Sequence, residues 1–241
     1  MDKCIIFLSK SENYLESAKK IKNRLSFDTF IYYIEDFVKL KNKKKLLENS
    51  IVYFLCNTYL IKKLLNKTIN VNYYVFNKNF FINNYSKLEI QKILKDNNIL
   101  IPKILNSDEY ELPIFIKENK HAGIVIKAYT KNTINIFMRK FHNHKFYMEE
   151  DIYGDKESKY YYVKGKIFSK DDNNLSKVII ECCNKISKIL DLDIFSVDII
   201  KKNDLYIVID VNSSAGFYLL DEARNKLVEE IESKRWKIWK Y

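Results

Sequence analysis

Short apolar runs alternate with amphipathic stretches along the first third of the chain. Cys4–Leu8 is an unbroken apolar run of strand length. Ser11 offers a cap for a helix reaching Ile21, with Leu15, Ala18 and Ile21 along one side. Thr29–Ile34 reads as a second strand and Ile51–Leu55 as a third. A helix from Thr58 to Leu65 follows, then a fourth strand over Val71–Phe76. Strands separated by helices at this pitch predict a parallel sheet with crossover connections.

The texture changes in the second part. Tyr85–Asn97 is amphipathic, with Leu88, Ile90, Ile93 and Leu94 marking its buried stripe, and Pro102 closes the connection after it. Pro113–Lys117 and Ile124–Ile126 read as strands around a short polar turn, Glu118 to Gly123. Phe146–Ile152 and Tyr160–Phe168 predict further strands, with a tight turn at Lys164-Gly165. A helix from Leu175 to Leu190, strands over Ile194–Lys201 and Leu205–Val211, and a last helix over Glu222–Lys234 complete the chain. No internal repeat is present.

Composition narrows the class. At 241 residues the chain makes one large domain or two small ones and needs no disulfide or metal staple to fold. With 47% apolar residues, 4 Gly and 2 Pro, disordered, collagen-like and low-complexity classes are excluded. Cys4, Cys56, Cys182 and Cys183 show no CxxC spacing and read as reduced thiols of a cytoplasmic protein. No signal peptide and no membrane span is expected.

The net charge is +11, and only Arg24, Arg139, Arg224 and Arg235 are arginines. Lys, Asn, Ile and Tyr codons are all A/T-rich, so part of this charge follows from coding bias. The rest points to a phosphate-rich partner, and the scarcity of Arg ranks nucleic acid below a phosphorylated small molecule.

The chemistry concentrates near the end. Ser196–Ile200 and Leu205–Asn212 predict two apolar strands joined by the polar turn Lys202-Asn203-Asp204, and each strand carries an acid. Asp210 and Asn212 are two residues apart and share one side of their strand, which Asp198 can face from the next. Two carboxylates and an amide oxygen are the ligand set that Mg²⁺ uses beside water and phosphates. A carboxylate left unpaired inside such apolar runs is costly to bury.

This order of strand, Asp198, strand, Asp210-Val211-Asn212 and Gly216-Phe217 resembles the metal-binding end of the ATP-grasp superfamily. Ser86–Pro102 resembles the helix and turn that open its nucleotide domain, Pro113–Lys117 its phosphate-contacting strand, and Met148–Ile152 its adenine hinge. The resemblance implies an α/β (α+β) fold. A Rossmann-like pre-ATP-grasp domain would span residues 1–78, and an ATP-grasp domain of two small subdomains residues 79–241. It implies ATP held by Lys87, Lys117, Glu149, Glu150 and Ile152, and Mg²⁺ held by Asp198, Asp210 and Asn212. His121, Lys159 and Gly216 would meet the substrate, with His121, Lys159 and Lys117 as the catalytic set.

Within the superfamily, Asp-x-Asn at the metal, His121 in the turn and Lys159 before Tyr160 resemble inositol trisphosphate kinases of the fold. That implies phosphorylation of an inositol phosphate or a similar polyanion. The alternative is a carboxylate–amine ligase of the RimK or glutathione-synthetase kind, acting through an acyl phosphate on a carboxylate or peptide. A nucleotide binder without catalysis is the third. The chain departs from the pattern in its Gly-poor turn, in Glu149-Glu150 where Gln-Glu is common, and in Ser213–Gly216, which lacks a Pro. His142 and His144 read as a solvated turn and not a metal pair. Trp236, Trp239 and Tyr241 read as a helix end packed on the body.

Overall fold

The computed structural model of the chain describes residues 3–10, 14–106, 110–121, 123–154, 156–171, 175–216 and 220–235. The elements of the first third are β1 (Lys3–Leu8), α1 (Leu15–Lys22), β2 (Asp28–Tyr33), α2 (Ile34–Phe37), α3 (Lys43–Leu47), β3 (Ser50–Phe54), α4 (Tyr59–Lys67), β4 (Tyr74–Val75) and α5 (Lys78–Asn83). Next come α6 (Lys87–Asp96), β5 (Ile104–Leu105), β6 (Ile114–Glu118), β7 (Val125–Ala128), α7 (Lys131–Lys140) and β8 (Phe146–Glu150). The chain ends with β9 (Lys156–Val163), β10 (Lys166–Ser169), α8 (Lys177–Leu190), β11 (Ile194–Lys202), β12 (Leu205–Asn212) and α9 (Asp221–Arg235). The expected cap Ser11 and the residues from Trp236 onward lie outside the described residues. No helix among the described residues is long and apolar enough to cross a membrane. All four cysteines are free.

The described residues form two compact units: residues 1–84, 159–197 and 212–241 make the first, and residues 85–158 and 198–211 the second. A sheet of order β10-β9-β11-β12 is built from strands in which the division between units falls.

The first unit holds the parallel sheet expected from the strand–helix alternation, in the order β2-β1-β3-β4. β1 and β3 are buried on both faces, as their unbroken apolar runs require. Cys4, Ile6, Leu8, Ile51 and Tyr53 pack with Ala18 and Ile21 of α1 and Leu227 and Ile231 of α9. The other face is aromatic: Phe7 meets Phe37 edge-on at 4.8 Å, and Phe54 meets Phe81 at 5.1 Å. On that side α4 packs against α2 and α5 and buries Ile61, Leu64 and Leu65.

Asn77, buried and in the left-handed region (φ 57°), fixes the root of β11. Its amide donates to the carbonyls of Ile194 (2.6 Å) and Ser213 (3.1 Å) and accepts from the N–H of Asp193 (2.8 Å) and Ile194 (3.1 Å). A buried amide so fully satisfied fixes the backbone where β11 begins and where the chain leaves β12.

The second unit contains an antiparallel sheet of order β5-β8-β6-β7. Ile114, Ile116 and Ala128 cover one face with Ile134 and Phe137 of α7. α7 was not expected from the sequence; its apolar stripe is short, and Thr130 caps it by accepting from the Thr133 N–H at 3.1 Å. Burying a side chain such as Phe137 contributes about 2–3 kcal/mol. The opposite face carries Phe115, Lys117, Lys127 and Glu149, because the register pairs Phe115 with both Lys127 and Glu149.

Candidate active site

α6 begins with a capping box: Ser86 accepts from the Glu89 N–H, and the Glu89 carboxylate accepts from the Ser86 N–H at 2.7 Å. Lys87 is therefore locked into the first helical turn. The turn after β6 is tied to the same place, since the Asn119 side chain accepts from the Leu88 N–H at 2.8 Å. α6 also meets β12, with Gln91 donating to the Ile209 carbonyl at 3.3 Å.

Within the second unit these elements bring Lys87, Lys117, His121, Glu149 and Asp210 together. Lys87 forms an ion pair with Asp210, and Lys117 one with Glu149. Lys117 also donates to the Ile209 carbonyl at 3.2 Å, beside Asp210. His121 Nε2 lies 3.2 Å from the Tyr85 carbonyl. Glu149 is 2% exposed, and its Oε2 has no hydrogen-bond partner. A buried carboxylate oxygen without a donor is uncommon in a finished core and is open to a further hydrogen bond, from water or from a ligand group.

The electrostatics separate the two acids. Burial raises the Asp210 carboxyl, but Lys87, Lys117 and His121 outweigh it and leave it below the usual carboxylate range. Burial raises Glu149 further than Lys117 can offset, and the charge of Asp210 adds to the rise. The two acids are thus shifted in opposite directions, Asp210 toward its ionised form and Glu149 away from it. Burial, then the neighbouring charge of Lys87, pushes His121 down to about 4, so its ring is neutral at pH 7. Tyr147, two residues before Glu149 on the same face, is raised by burial and by the charges of Glu149 and Asp210.

Asp198 lies half-buried on β11 in this unit, and Asp210 follows on β12 after the two-residue turn Asn203-Asp204. Among the described residues no three His, Cys, Asp or Glu side chains group as metal ligands. The predicted set has two carboxylates and an amide, and hard oxygens of this number suit Mg²⁺ that takes its remaining ligands from phosphates and water. Asn212, Lys159 and Gly216 belong to the first unit. There a Cβ at Gly216 would come within 2.9 Å of the Tyr14 ring.

The segment expected to form the hinge, Met148–Ile152, splits between the two faces of its sheet. Glu149 faces Lys117, whereas Glu150 sits on the α7 side of the sheet and its carboxylate accepts from the Lys103 N–H at 2.8 Å. Ile152 follows β8 half-buried, and Asp151 pairs with Lys127 at 2.6 Å. His144 stands exposed in the turn, as expected, and its Nδ1 also meets the buried Glu118 carboxylate at 2.6 Å. Glu118 also pairs with Lys120 at 2.8 Å and accepts from the Ile124 N–H at 3.0 Å, clamping the turn that carries His121. Sequence reasoning missed Glu118, although strand alternation beside Lys117 puts it on the α7 face.

A family model described as a RimK-like ATP-grasp domain matches residues 163–232. No curated protein sequence matches the chain. Among solved structures it is similar to D-alanine–D-alanine ligase from Bacillus anthracis complexed with ATP, at 15% identity and a TM-score of 0.75, covering 99% of this chain and 98% of that one. It is also similar to the ATP-grasp ligase PsnB complexed with a minimal precursor variant, Mg and ADP, at 13% identity and TM-score 0.69, covering 96% and 97%. The macrocyclase MdnC bound with its precursor peptide from Microcystis aeruginosa matches at 14% identity and TM-score 0.66, covering 97% and 100%.

Proposed function

From a chain with the ATP-grasp fold and these five side chains in one place, we propose an ATP- and magnesium-dependent ligase that joins a carboxylate to an amine. The observation that carries it is the pairing of Lys87 with Asp210 and Lys117 with Glu149 in one cluster. Without nucleotide, the lysines neutralise the acids. With nucleotide, Lys87 and Lys117 turn to its phosphates as point charges and release the acids for the metal. Asp198, Asp210 and Asn212 would hold Mg²⁺, which supplies charge neutralisation at the transferring phosphoryl group. The orphaned Glu149 Oε2 accepts a hydrogen bond from the bound nucleotide, with Ile152 and the backbone at Glu150 completing the hinge.

The reaction has two steps. A substrate carboxylate oxygen attacks the terminal phosphorus of ATP, the bond to ADP breaks, and an acyl phosphate forms. An amine nitrogen then attacks the acyl carbon, the carbon–oxygen bond to phosphate breaks, and inorganic phosphate and a proton leave. Lys159 and Gly216 are assigned to the acceptor, as is His121. The ligase reading is preferred over phosphorylation of an inositol phosphate for two reasons. The similar structures include a D-alanine–D-alanine ligase and the ATP-grasp ligase PsnB. A neutral His121, its Nε2–H held by the Tyr85 carbonyl, also brings no positive charge to a polyanion.

The test is magnesium-dependent ADP formation with mixed acceptor pools and product identification. ADP and an amide formed only when a carboxylate and an amine are both present establish the ligase. ADP formed with inositol phosphates alone replaces it with the kinase.

A further inference from the structure

The chain's positive charge is not spread evenly. Between Phe37 and Asn84 there are nine lysines and one acid, Glu48, so this stretch holds +8 of the net +11. Lysine itself is only slightly denser here than elsewhere, 9 of 48 residues against 29 of 193; the excess comes from the acids, 1 of 48 against 30 of 193, which a lysine-rich coding bias does not explain. All nine lysines except Lys43 are exposed. Lys39 lends its charge to Asp36, which is already paired with Lys10 at 2.8 Å. Among the described residues none of the eight exposed lysines forms an ion pair, whereas Lys10, Lys19, Lys87, Lys117, Lys127 and Lys226 all do. These lysines lie on and around α2, α3, α4 and α5; α2, α4 and α5 form the layer over the aromatic face of the first unit's sheet. α9, on the other face, carries five acids against four bases and is balanced.

We propose that this lysine layer is a docking surface for an acidic peptide, the carboxylate-bearing substrate of the ligase. A layer of like charges without internal partners raises a field that concentrates an anionic partner and speeds its encounter. Peptide is favoured over nucleic acid by what the layer contains. No Arg occurs between Phe37 and Asn84, so there are no planar forks for phosphates or base edges. Exposed apolar side chains stand among the lysines, Leu40 at 36% and Ile69 at 72%, and suit the apolar residues of a peptide. Tyr59, 70% exposed, is one ring, short of the successive platforms on which bases stack. The proposal rests on the ligase reading for its choice of substrate, since an enzyme that activates carboxylates is served by a surface that gathers them.

The test uses the full chain with the substitutions Lys44→Glu, Lys45→Glu, Lys62→Glu and Lys63→Glu combined, all at exposed positions. A control carries Lys185→Glu and Lys188→Glu on exposed positions of α8. The probe is fluorescein-labelled poly-L-glutamate of about twenty residues, followed by anisotropy at 50 and 200 mM salt. The expected result is binding by the parent chain that falls steeply with salt and weakens at least about tenfold in the layer variant. The control should change less than about twofold. Equal loss in both variants overturns the proposal. So does tighter binding of an RNA homopolymer of equal charge, or of phosphatidylserine vesicles, than of polyglutamate. ADP formation with small carboxylate and amine pools is measured alongside. If no pool gives ADP but the layer variant alone loses polyglutamate, the ligase reading has failed and the surface stands. If ADP forms normally and the layer variant still binds, the surface has failed and the ligase reading stands.

Discussion

In the second unit Lys87 and Lys117 are only 14% and 17% exposed, and each is held by a carboxylate; in the first unit a whole layer of lysines stands in water without one. The same side chain meets opposite physics. A lysine packed against an acid has already given up most of its rotamer freedom and its hydration, so little further ordering would be needed for the phosphate proposed to replace the acid. An exposed lysine keeps both and acts through a field that salt screens beyond about 8–10 Å. Net charge counts the two alike. Only their partners separate a site that binds one ligand in one pose from a surface that gathers many of one sign.

The sharpest way to break this comparison is at the paired end. Asp210→Ala should lower ADP formation by about a thousandfold, the scale of losing a group that stabilises developing charge. The fold should survive, because Asp210 is not part of either apolar core, and circular dichroism with a thermal melt checks this. Turnover within tenfold of the parent would remove Asp210 from the metal site.

Lys117→Met comes next. It strips Glu149 of its ion pair and the nucleotide of a cation, and should raise the nucleotide KM by about ten- to a hundredfold. The comparison also predicts a salt contrast. Raising salt from about 50 to 200 mM should alter the parent's nucleotide KM less than about threefold, while polyglutamate binding drops far more. Parallel salt curves would mean that the half-buried lysines are as solvated as the surface ones.

A smaller effect is expected at Gly123. A Cβ there would stand 2.8 Å from the Glu118 Cβ and 2.9 Å from the Lys120 carbonyl oxygen, so the turn must shift. Gly123→Ala should raise the nucleotide KM by about three- to tenfold with little change in thermal stability. An unchanged KM would detach the turn from nucleotide binding.

These outcomes bear on how much the sequence disclosed. The strongest segments were readable: α6 and α8 by their helical period, and β1, β3, β11 and β12 by apolar runs of strand length. The short helices α2, α3 and α5, of four to six residues, are below the length at which a 3.6-residue period shows. α7 was long enough, but its Asn and Thr residues have poor helix propensity and only Ile134 and Phe137 are buried, so packing and not propensity forms it. Lys87, Lys117 and Asp210 could be placed by their order. The pairing of Lys87 with Asp210 across 123 positions could not, because nothing local encodes it. That Glu149 and not Glu150 meets Lys117 is a matter of strand parity, and register is set by partners that a single sequence does not show.

The last prediction concerns His121 and is the smallest. Its folded pKa of about 4 lies below the ordinary 6.5 because burial and Lys87 disfavour the imidazolium. Between those values the unfolded chain binds a proton that the folded chain refuses, so this residue costs stability as pH falls through the window and nothing above it. His121→Gln should remove that cost. From pH 7 to pH 5 the parent should lose about 1–2 kcal/mol more than the variant. Urea midpoints of both proteins at the two pH values read it. A difference of this sign fixes the ring as neutral at pH 7, where its Nε2–H is held by the Tyr85 carbonyl and its Nδ1 keeps a lone pair. Parallel losses would mean a ring that takes its proton at the ordinary pH. The charge it then gains as pH falls would restore the argument for a polyanionic substrate.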